Sequence, residues 1–80
     1  MSMSVIRQYI RALQSAASAD TLAELLMHLD FADSLSVPPS VIKRTRPLRE
    51  RVMARWDFLE QREYAQYNAQ LADDDEYPYY

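Results

Sequence analysis

The sequence predicts an all-α single domain of three to four helices, with a long C-terminal helix and a disordered acidic tail. Three observations carry this reading. Ten Ala, nine Leu and four Met stand against only seven Val and Ile, a balance that favours helix over strand. No stretch alternates apolar and polar residues over the length of a strand. Finally, 80 residues suffice for one hydrophobic core and not two, so the helices must share it. Residues 1–72 are assigned to the helical domain and 73–80 to the tail.

The elements follow in order. After a flexible lead at residues 1–4, Ser4 is placed to cap a first helix over 5–17, in which Ile6, Tyr9, Ile10, Leu13, Ala16 and Ala17 recur at spacings of three and four. Thr21 followed by Glu24 has capping-box spacing and opens a second helix over 22–29, striped by Leu22, Leu25, Leu26 and Leu29. Residues 30–40 hold Asp33, Ser34, Ser36, Pro38 and Pro39. They read as a connector with Phe31, Leu35 and Val37 tucked beneath the body. A short helix over 41–45, capped by Ser40, ends before Pro47. From Pro47 nothing breaks a helix before Asp73, which gives a rod of about 37 Å. The first two helices are too short to cover it, so its C-terminal half either frays or is covered by another chain.

Composition excludes much chemistry. Neither Gly nor Cys occurs, which removes disulfides, thiol nucleophiles, cysteine zinc sites and glycine-rich phosphate loops. His28 is the only histidine and no Gly-x-Ser-x-Gly elbow presents a serine to it, so a boundary residue is the expected role. Glu24 and His28 have the i,i+4 spacing of metal ligands but lack further partners, which reads as a solvated helix face. The run 73–76 offers oxygens to a cation without the glycine turn of a calcium loop. No enzyme, cofactor, metal or small-molecule substrate is expected. With no apolar run near the roughly 20 residues of a membrane span, the chain is expected in the cytoplasm.

The net charge of −3 hides a segregation. Asp73, Asp74, Asp75 and Glu76 are consecutive, whereas Lys43, Arg44, Arg46, Arg49, Arg51 and Arg55 crowd into 13 residues against Glu50 alone. Arginine forks suit phosphate or carboxylate groups. The cluster is therefore either a nucleic-acid surface or the polar face of a protein-binding helix, with internal pairing to Asp57, Glu60 and Glu63 available. A helix-turn-helix has the right order of parts, but ten connecting residues after Leu29 are too many for its turn. The acidic run is expected to screen the basic cluster from polyanions. The segment Tyr9-Ile10-Arg11-Ala12-Leu13 followed by Ala19-Asp20-Thr21-Leu22 resembles the first helices of the small Hha family of nucleoid-protein modulators. The resemblance spans residues 9–22 only; it implies a protein-binding regulator rather than a direct DNA reader.

Trp56 and Phe58 lie two apart on the long helix, so at most one shares the core stripe of Val52 and Leu59. Tryptophan, tyrosine, methionine and arginine are the residues enriched at interfaces. The expected partner-binding set is Arg44, Arg46, Arg49, Arg51, Arg55, Trp56, Phe58, Tyr64, Tyr67 and Leu71. The function expected from it is that of a non-enzymatic regulator, adaptor or inhibitor of bacterial or phage type, which acts by occupying a protein partner, self or foreign. The alternative is a DNA-binding transcriptional regulator using residues 43–55.

Overall fold

The computed structural model describes residues 3–74, with side chains through Ala69. Four helices follow one another: α1 Met3–Ala17, α2 Leu22–Ser34, α3 Pro39–Arg44 and α4 Arg46–Asp74. No strand occurs among the described residues, as the composition predicts.

The predicted core forms with additions. Tyr9, Leu13 and Ala16 of α1, Leu25 of α2, and Val52 and Leu59 of α4 are buried, joined by Ala12, Ala19 and Ala32. Leu22, Leu29, Leu35, Val37, Val41, Leu48 and Trp56 pack around them. The small alanines of α1 let it lie close against both α2 and α4, so α1 is the central helix. Tyr9 meets Arg49 and the end of α1 meets Arg55. α1 and α4 therefore run in the same direction, with α2 returning between their ends.

Several boundaries differ from expectation, each for a physical reason. Helix α1 begins at Met3 and takes Ser4 into its first turn; residues 1 and 2 of the expected lead lie outside the described residues. Helix α2 continues five residues past Leu29, because Ala32 is fully buried and this burial holds the turn that Asp30, Asp33 and Ser34 disfavour by propensity alone. The Ser34 hydroxyl donates to the Phe31 carbonyl at 2.6 Å, and Leu35 N–H closes on Ala32. Phe31, expected beneath the body, is 50% exposed on this added turn, and Leu26 is 40% exposed at the edge of its stripe.

The connector shrinks to residues 35–38. Pro38, at φ −63° and ψ 151°, holds the chain extended, and Pro39 occupies the first position of α3, where a missing N–H costs nothing. Capping of α3 by Ser40 is thus replaced by a proline start. Thr45, at φ −92° and ψ 8°, separates α3 from α4 by a single residue. Its hydroxyl donates to the carbonyls of Val41 and Ile42 at 2.9 and 3.1 Å, which leaves this buried side chain satisfied. Pro47 therefore sits inside the first turn of α4 instead of ending a helix. At its far end α4 carries Asp73 and Asp74 in helical conformation, past the expected boundary at residue 72; the remainder of the expected tail, 75–80, lies outside the described residues.

Candidate functional site: one helix with two faces

α4 extends about 43 Å at 1.5 Å per residue, and the body covers only its first half. Its core face carries Leu48, Val52 and Leu59, and no residue described after Leu59 is buried. A polar clasp marks where the body stops. Arg55 Nε donates to the Ala19 carbonyl at 2.8 Å, an Arg62 guanidinium nitrogen donates to the Asp20 carbonyl, and the Glu63 carboxylate accepts from Leu22 N–H at 2.8 Å. Two arginines thus satisfy carbonyls beyond the end of α1, while a carboxylate meets the positive end of α2. Thr21 and Glu24 complete the other side of that end: the Thr21 hydroxyl accepts from Glu24 N–H at 3.1 Å, which is the first half of the predicted capping box, while the Glu24 carboxylate accepts at 3.4 Å from Asp20 N–H, one residue before the cap, in place of Thr21 N–H.

The predicted site residues separate into two groups. Arg49 faces inward: its guanidinium donates to the Tyr9 hydroxyl at 2.7 Å and lies 3.5 Å from the Asp33 carboxylate. Burial acts to lower its pKa, but the contacts with Tyr9 and Asp33 outweigh that and leave it above the ordinary value. Arg55 adds a 3.9 Å pair with Asp20 to its bond with Ala19, and Arg46 lies 3.7 Å from Glu50. The internal partners are therefore Asp33, Asp20 and Glu50 in place of the expected Asp57, Glu60 and Glu63. Lys43, Arg44 and Arg51 are exposed and make no ion pair among the described residues. The six clustered cations thus do not form one continuous free patch.

Trp56 packs against the core and Phe58 is 51% exposed, the division their spacing predicts. Phe58 lies under two guanidiniums, with Arg55 at 5.1 Å and Arg62 at 5.7 Å from its ring centre. Tyr64 and Tyr67 are 65% and 57% exposed on the projecting half. The Leu71 side chain lies outside the described residues.

A second face of α4 is visible once the core face is fixed. At 100° per residue, Trp56, Tyr67, Glu60, Met53 and Tyr64 fall within an arc of about 80°, turned by about 100° from the core stripe. Met53 is 55% exposed and shares a shallow hollow with Ile42, which is 45% exposed, between Arg46 and Glu50. A further hollow joins Met53, Ala54, Trp56, Asp57 and Glu60. Trp56 Nε1 donates to the Glu60 carboxylate at 3.3 Å. The sequence reading left Ile42 and Met53 out of the site. Met53 is recoverable from its helical register with Tyr64; Ile42 is not, since it reaches this hollow only through the bend at Thr45. Arg62 and Glu63 were also missed as clasp residues, and no local pattern announces bonds across some 40 positions.

The expected screening of the basic cluster by the acidic run fails on length. A helix unbroken through Asp74 places that residue about 28 Å along the axis from Arg55 and 42 Å from Arg46. Asp75 and Glu76 extend the reach by only about 7 Å.

No family model, curated protein or solved structure matches this chain. The resemblance at residues 9–22 is thus a local one. Among the described residues no helix is long and apolar enough to cross a membrane, and no three His, Cys, Asp or Glu side chains are grouped to hold a metal ion.

Proposed function

We propose that the chain is a small non-enzymatic helical regulator, an adaptor or inhibitor, which works in the cytoplasm by docking α4 onto a protein partner. The observation that carries this reading is the continuation of α4 beyond Leu59, where exposed Tyr64 and Tyr67 prolong the stripe of Met53 and Trp56 away from the body. Amphipathic aromatic rings on a rigid rod offer contact area at low entropic cost. The mechanism is occupancy: a clasped three-helix body presents a preformed helix, and no turnover follows. Affinity capture from the native host with the parent and a Tyr64→Ser, Tyr67→Ser variant tests it. Retention of a specific protein by the parent and its loss with the variant supports the reading; equal retention refutes it.

One observation favours the DNA-binding alternative. Because α2 runs to Ser34, only four residues separate it from α3, so the spacing that spoke against a helix-turn-helix is gone. Exposed Lys43, Arg44 and Arg46 then lie in or just after α3. Three phosphate contacts by these residues give a log-log salt slope near −2.7. Absence of any duplex binding at about 50 mM salt refutes this alternative, since counterion release drives binding hardest there.

A further inference from the structure

The charges of α4 are segregated lengthwise. The end that begins it, with α3, carries Lys43, Arg44, Arg46, Arg49 and Arg51 against Glu50, while the other end runs into Asp73 and Asp74 and continues as Asp75 and Glu76. About 40 Å of rigid helix separates Arg46 from Asp73, several times the Debye length of about 8 to 10 Å in physiological salt. The two ends therefore cannot neutralise one another within one chain. The stripe of Met53, Trp56, Glu60, Tyr64 and Tyr67 lies between them, and its second half projects past the body.

We propose that the partner docking on this stripe is a second copy of the chain, paired antiparallel along α4. The inference rests on the protein-binding reading given above and names the partner. Direction is set by charge: a parallel pair sets basic end on basic end and acidic run on acidic run, whereas an antiparallel pair sets each basic end against the other copy's acidic run. Register is set by the acid inside the stripe. With the two-fold axis near residue 62, Glu60 lies level with Tyr64 of the second copy, so a phenol faces a carboxylate in place of a second glutamate. Asp57 comes level with the second copy's Tyr67, and Met53 with its position 71. Each projecting segment rests on the covered half of the other α4. The interface is isologous, and a two-fold of this kind closes at two copies.

Sedimentation equilibrium of the full chain, at about 50 mM and about 500 mM salt, tests the pairing. The expected result is a monomer–dimer equilibrium at micromolar concentration, weakened at least about tenfold at the higher salt because the end contacts are exposed. Two charge-reversed variants sharpen the test. One carries Asp73→Lys, Asp74→Lys, Asp75→Lys and Glu76→Lys; the other carries Lys43→Glu, Arg44→Glu and Arg46→Glu, and these last three residues are exposed. Each is expected to be monomeric alone, and a mixture is expected to form a one-to-one dimer that Tyr64→Ser with Tyr67→Ser abolishes. Helical content by circular dichroism establishes that every variant is folded. A parent monomeric at both salts, a dimer indifferent to salt and charge reversal, or a mixture that stays monomeric overturns the pairing. If the parent is monomeric but retains a host protein through Tyr64 and Tyr67, the pairing falls while the protein-binding reading stands. If it does neither, both fall.

Discussion

Replacing Glu63 with alanine removes the acceptor that α4 extends to Leu22 N–H at the start of α2. A hydrogen bond to a charged group contributes roughly 1.5 to 3 kcal/mol net, and a negative charge at a helix N-terminus about 0.3 to 1 kcal/mol. The two overlap here, because the same carboxylate supplies both. Glu63 is half-buried, so solvent takes part of the gain. Arg55 and Arg62 still hold the neighbouring carbonyls of Ala19 and Asp20, and the corner stays docked. The expected loss is therefore about 1 to 2 kcal/mol. For a chain of this size each kcal/mol moves the melting temperature by about 4 to 8 °C, so the variant is expected to melt roughly 5 to 15 °C below the parent. Thermal and urea unfolding in dilute solution, followed by circular dichroism, read this directly. Glu63→Gln keeps an acceptor without the charge and is expected to recover about half of the loss. Asp57→Ala, at an exposed acid outside the clasp, serves as control and should stay within about 0.5 kcal/mol of the parent. Equal stability of the Glu63→Ala and Asp57→Ala variants would refute the clasp as a source of stability.

Three other outcomes are expected. Leu59→Ala, at a fully buried position, should cost about 2 to 5 kcal/mol in urea unfolding, whereas Tyr64→Ser should change monomer stability by less than about 0.5 kcal/mol; comparable losses would contradict the point at which the body ends. The pKa of Arg49 is raised on folding, so its contribution is fully present below its already high unfolded value and is lost only as pH rises through the still higher folded one. The stability difference between the parent and Arg49→Met should hence stay constant from about pH 5 to pH 9, and a change above about 1 kcal/mol across that span would show that the Tyr9 and Asp33 contacts are misassigned. Truncation after Ala72 should leave the duplex-DNA affinity of the monomer at low salt within about twofold, because the acidic run cannot reach the basic cluster on its own chain; a large gain measured by electrophoretic titration would reinstate intramolecular screening.

The core was legible because Leu13, Leu25, Val52 and Leu59 repeat with helical period, and a capping box is a local pattern that Thr21 and Glu24 carry on their own. Boundaries were legible only where local chemistry decides them. The end of α2 is decided by the burial of Ala32, a tertiary event that overrides the turn preference of Asp30, Asp33 and Ser34. Pro39 and Pro47 were recognised as punctuation, but whether a proline opens or closes a helix depends on the residues before it, and both of these open one. For the site, register alone places Trp56, Tyr64 and Tyr67 on one side of α4. The sorting of the arginines into internal and free ones was not legible, since Asp33, Asp20 and the Ala19 carbonyl reach Arg49 and Arg55 only after α1 and α2 have docked.

The clasp also bears on the order in which the chain is made. Residues 3–34 emerge first, and α1 and α2 can close on one another through short-range contacts. The groups that satisfy the carbonyls of Ala19 and Asp20 and the N–H of Leu22 emerge some 40 residues later, at synthesis rates of about 5 to 20 residues per second a delay of roughly 2 to 8 s. For that interval the newborn hairpin has a water-bonded corner and an uncovered Leu13, Leu25 and Ala16. A message truncated before the codon for Arg55 yields a chain that has Leu48 and Val52 to lay on the hairpin but lacks Leu59 and the whole latch, whereas one ending shortly after Glu63 encodes every residue of the core and the clasp without the projecting rod. All three groups of the clasp thus enter within the nine codons from Arg55 to Glu63.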